Sequence, residues 1–277
     1  MKKTLLHSLL VLVVFTSCDP ESDEANLNSD LDVTAVNEAE IDAVYEDIDD
    51  LSIVNFESVT DAMNGRVAEE EDDRLCDNVV SFEGDRNEGT ITIDFGEGCV
   101  DPNGNVRKGK IVIEYNGPKF QPESEIVTTL IDYSINDIAI EGVRTLENIS
   151  TSTEDFPTFH ILLEGGKVTW PDETFATREV DRVRVWKRAR NPREDAHLVT
   201  GTANGMTRRG IQYDMEILDT LVYKRACLPS RRARIPVAGV KQIETENKVI
   251  TIDFGDGECD RRFDVSIEGI TEEVTVD

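Results

Sequence analysis

From Asn78 onward the chain alternates β-branched or aromatic residues with polar ones in short runs, parted by Gly, Asn, Asp or Pro. Period two puts successive side chains on opposite faces of a strand, so each run reads as a half-buried β-strand. About fifteen such runs follow one another. They include Thr158 to Glu164, Lys167 to Trp170, Gly210 to Leu218 and Thr220 to Cys227. Strands joined by short turns, with no helix between them, pair with their sequence neighbours and run antiparallel. The expected fold is therefore mainly β, a large antiparallel meander that must roll into a curved sheet or split into a two-layer sandwich. Asn-Gly at Asn103, Asn116 and Asn204 marks hairpin or bulge positions where φ is positive.

One helix is signalled ahead of the sheet. Between Ala39 and Val54, Ile41, Val44, Tyr45, Ile48 and Leu51 recur at three- and four-residue spacing with acids between them. That is an amphipathic α-helix whose apolar stripe needs a partner, and the sheet is the available one. Gly65 would stop a continuation through "NFESVTDAMNG", and "AEEEDD" reads as a loop.

The N-terminus has the form of an export signal: Lys2 and Lys3, then an apolar run from Leu5 to Phe15, too short to span a bilayer. Phe15, Thr16, Ser17 and Cys18 resemble the lipobox of bacterial lipoproteins. The resemblance implies cleavage before Cys18 and a diacylglycerol thioether on it, an outer-membrane anchor of more than one acyl chain. From Asp19 to Asp73 there are 20 acidic residues and one basic, Arg66. The first part is too poor in apolar groups to offset its ordering entropy, so it reads as a solvated tether. An acidic cluster directly behind the lipidated cysteine also resembles a surface-export signal; a plain repulsive spacer has the same composition. The organisation expected is 1–17 signal peptide, 18–34 acidic tether, 35–73 acidic helical segment and loop, and 74–277 antiparallel β body.

The formal net charge of −28 argues against nucleic acid or an anionic membrane surface as the partner of the whole protein. With Cys18 lipidated, four cysteines remain, an even number that suits two disulfides in an exported chain. Three pairings are open. A repeat chooses among them: "TITIDFGEGC" and "VITIDFGDGEC" each close on a cysteine that has another 23 or 32 residues earlier. Cys76 with Cys99, and Cys227 with Cys259, is the economical arrangement. No C-x-x-C pair or neighbouring histidine favours zinc.

The repeated phrase itself reads as an inward-facing strand, Ile91, Ile93 and Phe95 or Ile250, Ile252 and Phe254, followed by a glycine turn. The other elements of a protein kinase are lacking, so "DFG" carries no such meaning here. Asp94, Glu97, Asp101, Asn103 and Asn105, or Asp253, Asp256, Glu258 and Asp260, offer oxygen ligands for calcium, but without the spacing of an EF-hand. A solvated turn is the simpler reading, and no metal or cofactor is assigned. His160, in "FHILL", reads as a structural histidine, and no paired carboxylates stand out for catalysis. The chain is read as a non-enzyme.

The distinctive surface signal is basic: "REVDRVRVWKRARNPR", with Lys224, Arg225, Arg231, Arg232 and Arg234 later. Arg182, Arg184 and Trp186 share one strand face by parity, and Arg188 follows. Guanidinium groups beside an indole could grip an anionic glycan. The competing reading pairs these arginines with the protein's own acids, including those of the acidic helix.

The lipobox, the acidic helix, "ITIDFGEGCVDPNGNVRKGKI", "IEGVRTLEN", "LVTGTANGMTRRGIQY", "LVYKRAC" and "ITIDFGDGECDRRFDVSIEG" together resemble uncharacterised lipoproteins of the Bacteroidota. The resemblance implies an exported, lipid-anchored envelope protein and brings no catalytic residues. The readings open at this point are non-catalytic binding or assembly with a glycan or envelope protein, anionic-glycan binding, and carriage of a lipid or other hydrophobe under the helix.

Overall fold

The computed structural model describes residues 21–63, 65, 72–75, 79–102, 104–153, 156–227, 235–260 and 262–275, with side chains in the helix from Glu40 onward. Cys18, Cys76, Asn103, Arg231, Arg232 and Arg234 lie outside the described residues.

Thirteen strands follow the helix α1, Glu21–Met63. They are β1 Val79–Gly84, β2 Glu88–Val100, β3 Val106–Asn116, β4 Glu125–Ile135, β5 Ile138–Asn148, β6 Thr158–Thr169 and β7 Phe175–Lys187. The second half comprises β8 Ala196–Met206, β9 Gln212–Lys224, β10 Ala238–Thr245, β11 Val249–Asp256, β12 Arg262–Ile267 and β13 Ile270–Thr275. They form one antiparallel sheet in strict sequence order, not closed into a barrel. The meander is as expected, and two expected breaks are absent. Thr158 to Glu164 and Lys167 to Trp170 are one strand, β6, whose register with β7 slips between Leu163 and Gly166. Gly210 to Leu218 and Thr220 to Cys227 merge similarly into β9, which meets β10 through two register shifts. A local polar or glycine interruption looks like a turn in sequence, but a long strand can absorb it as a bulge.

Bulges recur between most neighbouring strands and bend the sheet. At Gly109, φ is 78° and an added Cβ would lie 2.2 Å from the carbonyl oxygen of Asp132. Only glycine allows both that backbone and that approach. Gly109→Ala should cost roughly 2 to 3 kcal/mol. An unchanged urea midpoint in that variant would show that β4 can move aside. Asn204-Gly205 departs from expectation: it lies within β8, and the turn is made instead at Thr207 to Gly210. Gly205 is required there because a Cβ would sit 2.0 Å from the oxygen of Thr177 on β7.

α1 is longer than the apolar stripe suggests, beginning at Glu21 where a solvated tether was expected. A helix already nucleated by packing extends at little further cost. The amide of Gly65 (φ 70°) donates to the carbonyl of Ala62 just beyond the helix end, as the sequence signals.

The apolar side chains of α1 and of one sheet face form a common core. Leu51, Ile91, Ile111 and Ile113 are all 0 % exposed. The helix reaches β3 through Arg107, β5 through Arg144, β7 through Arg178, Arg182 and Arg184, and β10 through Lys241. One helix can touch strands so far apart in sheet order only if the sheet rolls around it, so the rolled alternative holds and the two-layer sandwich does not.

The repeated phrase is scaffolding of this face. Ile91, Ile93, Phe95, Ile250, Ile252 and Phe254 are all buried. In both copies the aspartate caps its own turn: Asp94 accepts the amide of Gly96 and Asp253 that of Gly255, each at 2.9 Å. Cys227 and Cys259 are bonded, closing a separation of 32 residues worth about 3 to 4 kcal/mol in the chain-entropy model. Cys99 is disulfide-bonded too.

Candidate ligand-binding cleft

Six acids of α1 turn toward the body of the protein. Asp42, Glu46, Asp47, Asp49, Asp50 and Glu57 meet cations that project from inward positions of the sheet, from the short turn Asp73–Leu75 and, in Lys119, from the connection between β3 and β4. Asp42 holds Arg178 at 2.6 Å, Arg182 at 3.3 Å and Lys241 at 3.1 Å. Glu46 takes Arg184 at 2.5 Å. Asp49 and Arg144 form a bidentate pair at 2.7 and 2.6 Å. Arg107 donates to Asp47 at 2.7 Å and to the hydroxyl of Tyr133 at 2.8 Å. Arg74 bridges Asp47, Asp50 and Asp72. Lys119 reaches Glu57 at 2.7 Å.

Burial makes these pairs mutually dependent, since an isolated charge in the interior is strongly disfavoured. Burial pushes the Asp42 carboxyl up, but the charges of Arg178, Arg182 and Lys241 more than reverse this and hold it far below the usual carboxylate range. Burial lowers the Lys119 ammonium, with Glu57 opposing it. Burial likewise pushes the Tyr133 hydroxyl up to about 12, against the pull of Arg107.

Arg182 and Arg184, sequence candidates for a surface glycan site, are therefore committed to α1 at 3 and 7 % exposure. Parity correctly set them on one face with Trp186, but that face is the concave one. The acidic helix supplies the carboxylates they need, and the reading in which the arginines pair internally describes them. Trp186 and Arg188 lie further along the same strand and its exit, where the side chains are less enclosed. His197 stacks near the indole at 5.5 Å and 28°, Phe120 tilts against it at 5.4 Å, and the indole N–H donates to Asp195 at 3.1 Å. Lys119 and Arg188 stand 5.2 and 5.5 Å from the indole centroid. The indole is thus engaged by its own protein, and its part is to hold cations in place.

Beside the seam the rolled sheet leaves an open cleft of about 1010 Å³. Its floor is the α1 face carrying Ala43, Glu46, Asp47, Asp50, Val54 and Glu57, spaced for one side of a helix. One wall comes from Arg107 and Ile135, the other from Arg184, Trp186, His197 and Tyr223. Arg193, Lys224 and Arg225 form part of its rim. The sequence reading missed Lys119, Phe120, Arg107, Arg144 and Lys241. For two of them a signal was available: Arg107 shares parity with Ile111 and Ile113 on β3, as Lys241 does with Ile243 on β10.

The acid-rich turns satisfy themselves. Asp101 is buried and accepts the backbone amide of Asn105 at 2.9 Å and its side-chain amide at 3.1 Å. Among the described residues no group of three His, Cys, Asp or Glu is placed to hold a metal ion. His160 lies on the outer face, 2.8 Å from Asp181. No family model, curated protein or solved structure matches the chain.

Proposed function

We propose that this protein is an exported lipoprotein of the cell envelope, anchored through Cys18, whose β body is a non-catalytic binding module. Its ligand enters the cleft between α1 and the sheet. The observation that supports this reading is the cleft itself, about 1010 Å³ beside a helix held in place by ion pairs, within the size range of small-molecule sites. Its lining argues for a polar ligand: Glu46, Asp47, Asp50, Glu57, Arg107 and Arg184 are costly neighbours for a lipid chain. Helix side chains fill the concave face where a hydrophobe carrier would keep its cavity. The lipobox resemblance and the basic, then apolar, N-terminus support the anchor and the outer-membrane location.

Thermal-shift measurement on the full chain with envelope sugars, peptides and lipids tests the cleft, with Ala43→Trp as the blocked control. A ligand present at a hundredfold its Kd should stabilise the protein by about 2.7 kcal/mol. That corresponds to roughly 5 to 10 °C in Tm for a body of this size. The blocked variant should lose the shift. Equal shifts in the two proteins would place binding elsewhere, and turnover of any compound in the panel would overturn the non-catalytic reading.

A further inference from the structure

We infer that the cleft takes an acidic oligosaccharide, one whose anionic group is bound by Arg193 and Arg225 at the rim while its hydroxyls meet the carboxylates of the floor. The inference rests on the cleft reading above and adds the chemical class of the ligand.

The deep cations are all committed. Arg107, Arg184 and Lys119 each hold a carboxylate of α1 at 2.5 to 2.7 Å, so the interior of the cleft offers paired charge and little net attraction for an anion. The rim differs. Arg193 and Arg225 are exposed, and among the described residues neither guanidinium has a carboxylate partner. Both come from a braced corner. The turn Pro192–Glu194 is capped by Asn191, whose side chain accepts the amide of Arg193 at 3.2 Å, and the amide of Arg225 donates to the carbonyl of Asp195 at 2.9 Å. Asp195 is itself buried, gripping the Trp186 N–H at 3.1 Å and the Ala189 amide at 2.8 Å. In a chain of formal charge −28, exposed guanidinium groups on a braced corner beside an open cleft, with no carboxylate partner among the described residues, contrast with the ion-paired cations inside that cleft.

The floor decides what kind of anion fits. Glu46, Asp47, Asp50 and Glu57 line the path inward, so a polymer charged at every unit, such as nucleic acid or a uniformly sulfated chain, would bring like charges together there. Hydroxyl groups suffer no such penalty, because a carboxylate already paired with a guanidinium keeps lone pairs that accept further hydrogen bonds. A molecule rich in hydroxyls with a carboxylate at one end or at intervals satisfies both regions. The rim guanidinium groups then supply the charge-assisted contacts.

The test uses the full chain in detergent with four probes: tetragalacturonate, its methyl ester, a uniformly sulfated oligosaccharide and a single-stranded DNA oligonucleotide. Calorimetry should find tetragalacturonate bound at least tenfold more tightly than the ester. The double variant Arg193→Ser and Arg225→Ser should lose at least tenfold of that affinity with an unchanged Tm. Ala43→Trp should abolish it. Equal binding of acid and ester, with Ala43→Trp still blocking both, would overturn the acidic class and leave the cleft reading standing. Binding of the acid that survives Ala43→Trp would overturn the cleft reading for this ligand, and the inference with it. Tighter binding of DNA or the sulfated chain would make the rim a general polyanion patch and sink the proposal, as would failure of the acid to bind.

Discussion

Asp42→Asn is expected to lower the stability of the body by about 3 to 5 kcal/mol, the usual cost of breaking a buried ion pair from one side. The effect should lie at the upper end, because this carboxylate is shared by Arg178, Arg182 and Lys241, all 2 to 3 % exposed. Asparagine keeps the shape and an acceptor oxygen while removing the charge, so the variant isolates electrostatics from packing. Against a typical total of about 5 to 15 kcal/mol, such a loss leaves little margin. A fall in Tm of roughly 10 °C or more is the corresponding readout.

The same residue sets an acid limit. Its folded-state pKa lies below its unfolded value of about 3.9, so its contribution is fully present above that pH and is lost as the pH falls through the depressed folded value. Stability of the native protein should therefore begin to decline below about pH 4, where the unfolded chain starts to bind the proton first. Urea titrations between pH 5 and 2 should give a shallower slope for Asp42→Asn than for the native protein. Parallel slopes would mean that other carboxylates govern acid unfolding.

The second large effect concerns Asp49 and Arg144, a bidentate pair at 8 and 6 % exposure. Either Asp49→Leu or Arg144→Met alone strands a charge in the core and should cost about 3 to 5 kcal/mol. The remaining neighbour of Asp49, Arg184 at 3.9 Å, is too engaged with Glu46 to replace Arg144. The double variant removes both charges and puts apolar side chains in their place, so it should return to within about 1 kcal/mol of the native protein. The coupling measured by the four-member cycle should then exceed about 2 kcal/mol. Strictly additive losses would show that the two residues act independently and that the seam is not a set of interlocked pairs.

These outcomes bear on what can be read from residues in order. Alternation of Ile, Val and Phe with Thr and Asp carries the strands because side-chain direction in a strand depends only on local geometry. The inward set Ile91, Ile93 and Phe95 and its counterpart at Ile250 to Phe254 were legible for that reason. So was the pairing of Cys227 with Cys259, since both cysteines close the ends of one repeated hairpin. Strand merging across Gly165 and Gly166 was not legible, because a glycine pair is compatible with either a turn or a bulge until the neighbouring strand fixes the register.

The candidate cleft shows the same division. Parity placed Arg182, Arg184 and Trp186 on one face, but parity has no sign: it cannot tell the concave face from the convex one when the residues concerned are charged. Arginine is ordinarily exposed, so the solvent face was a natural place to seek a ligand. What reversed the assignment is a carboxylate 138 residues away in sequence, Glu46, brought within 2.5 Å of Arg184 by the rolling of the sheet. The sequence alone determined the alternating strand pattern, its antiparallel order, the helix and its acidic character. The tertiary structure decided that the acids and arginines neutralise one another inside the roll, and that Arg193 and Arg225 lie exposed at its rim with no carboxylate partner among the described residues. Long-range electrostatics is a property of distances in space, and no local pattern of residues contains those distances.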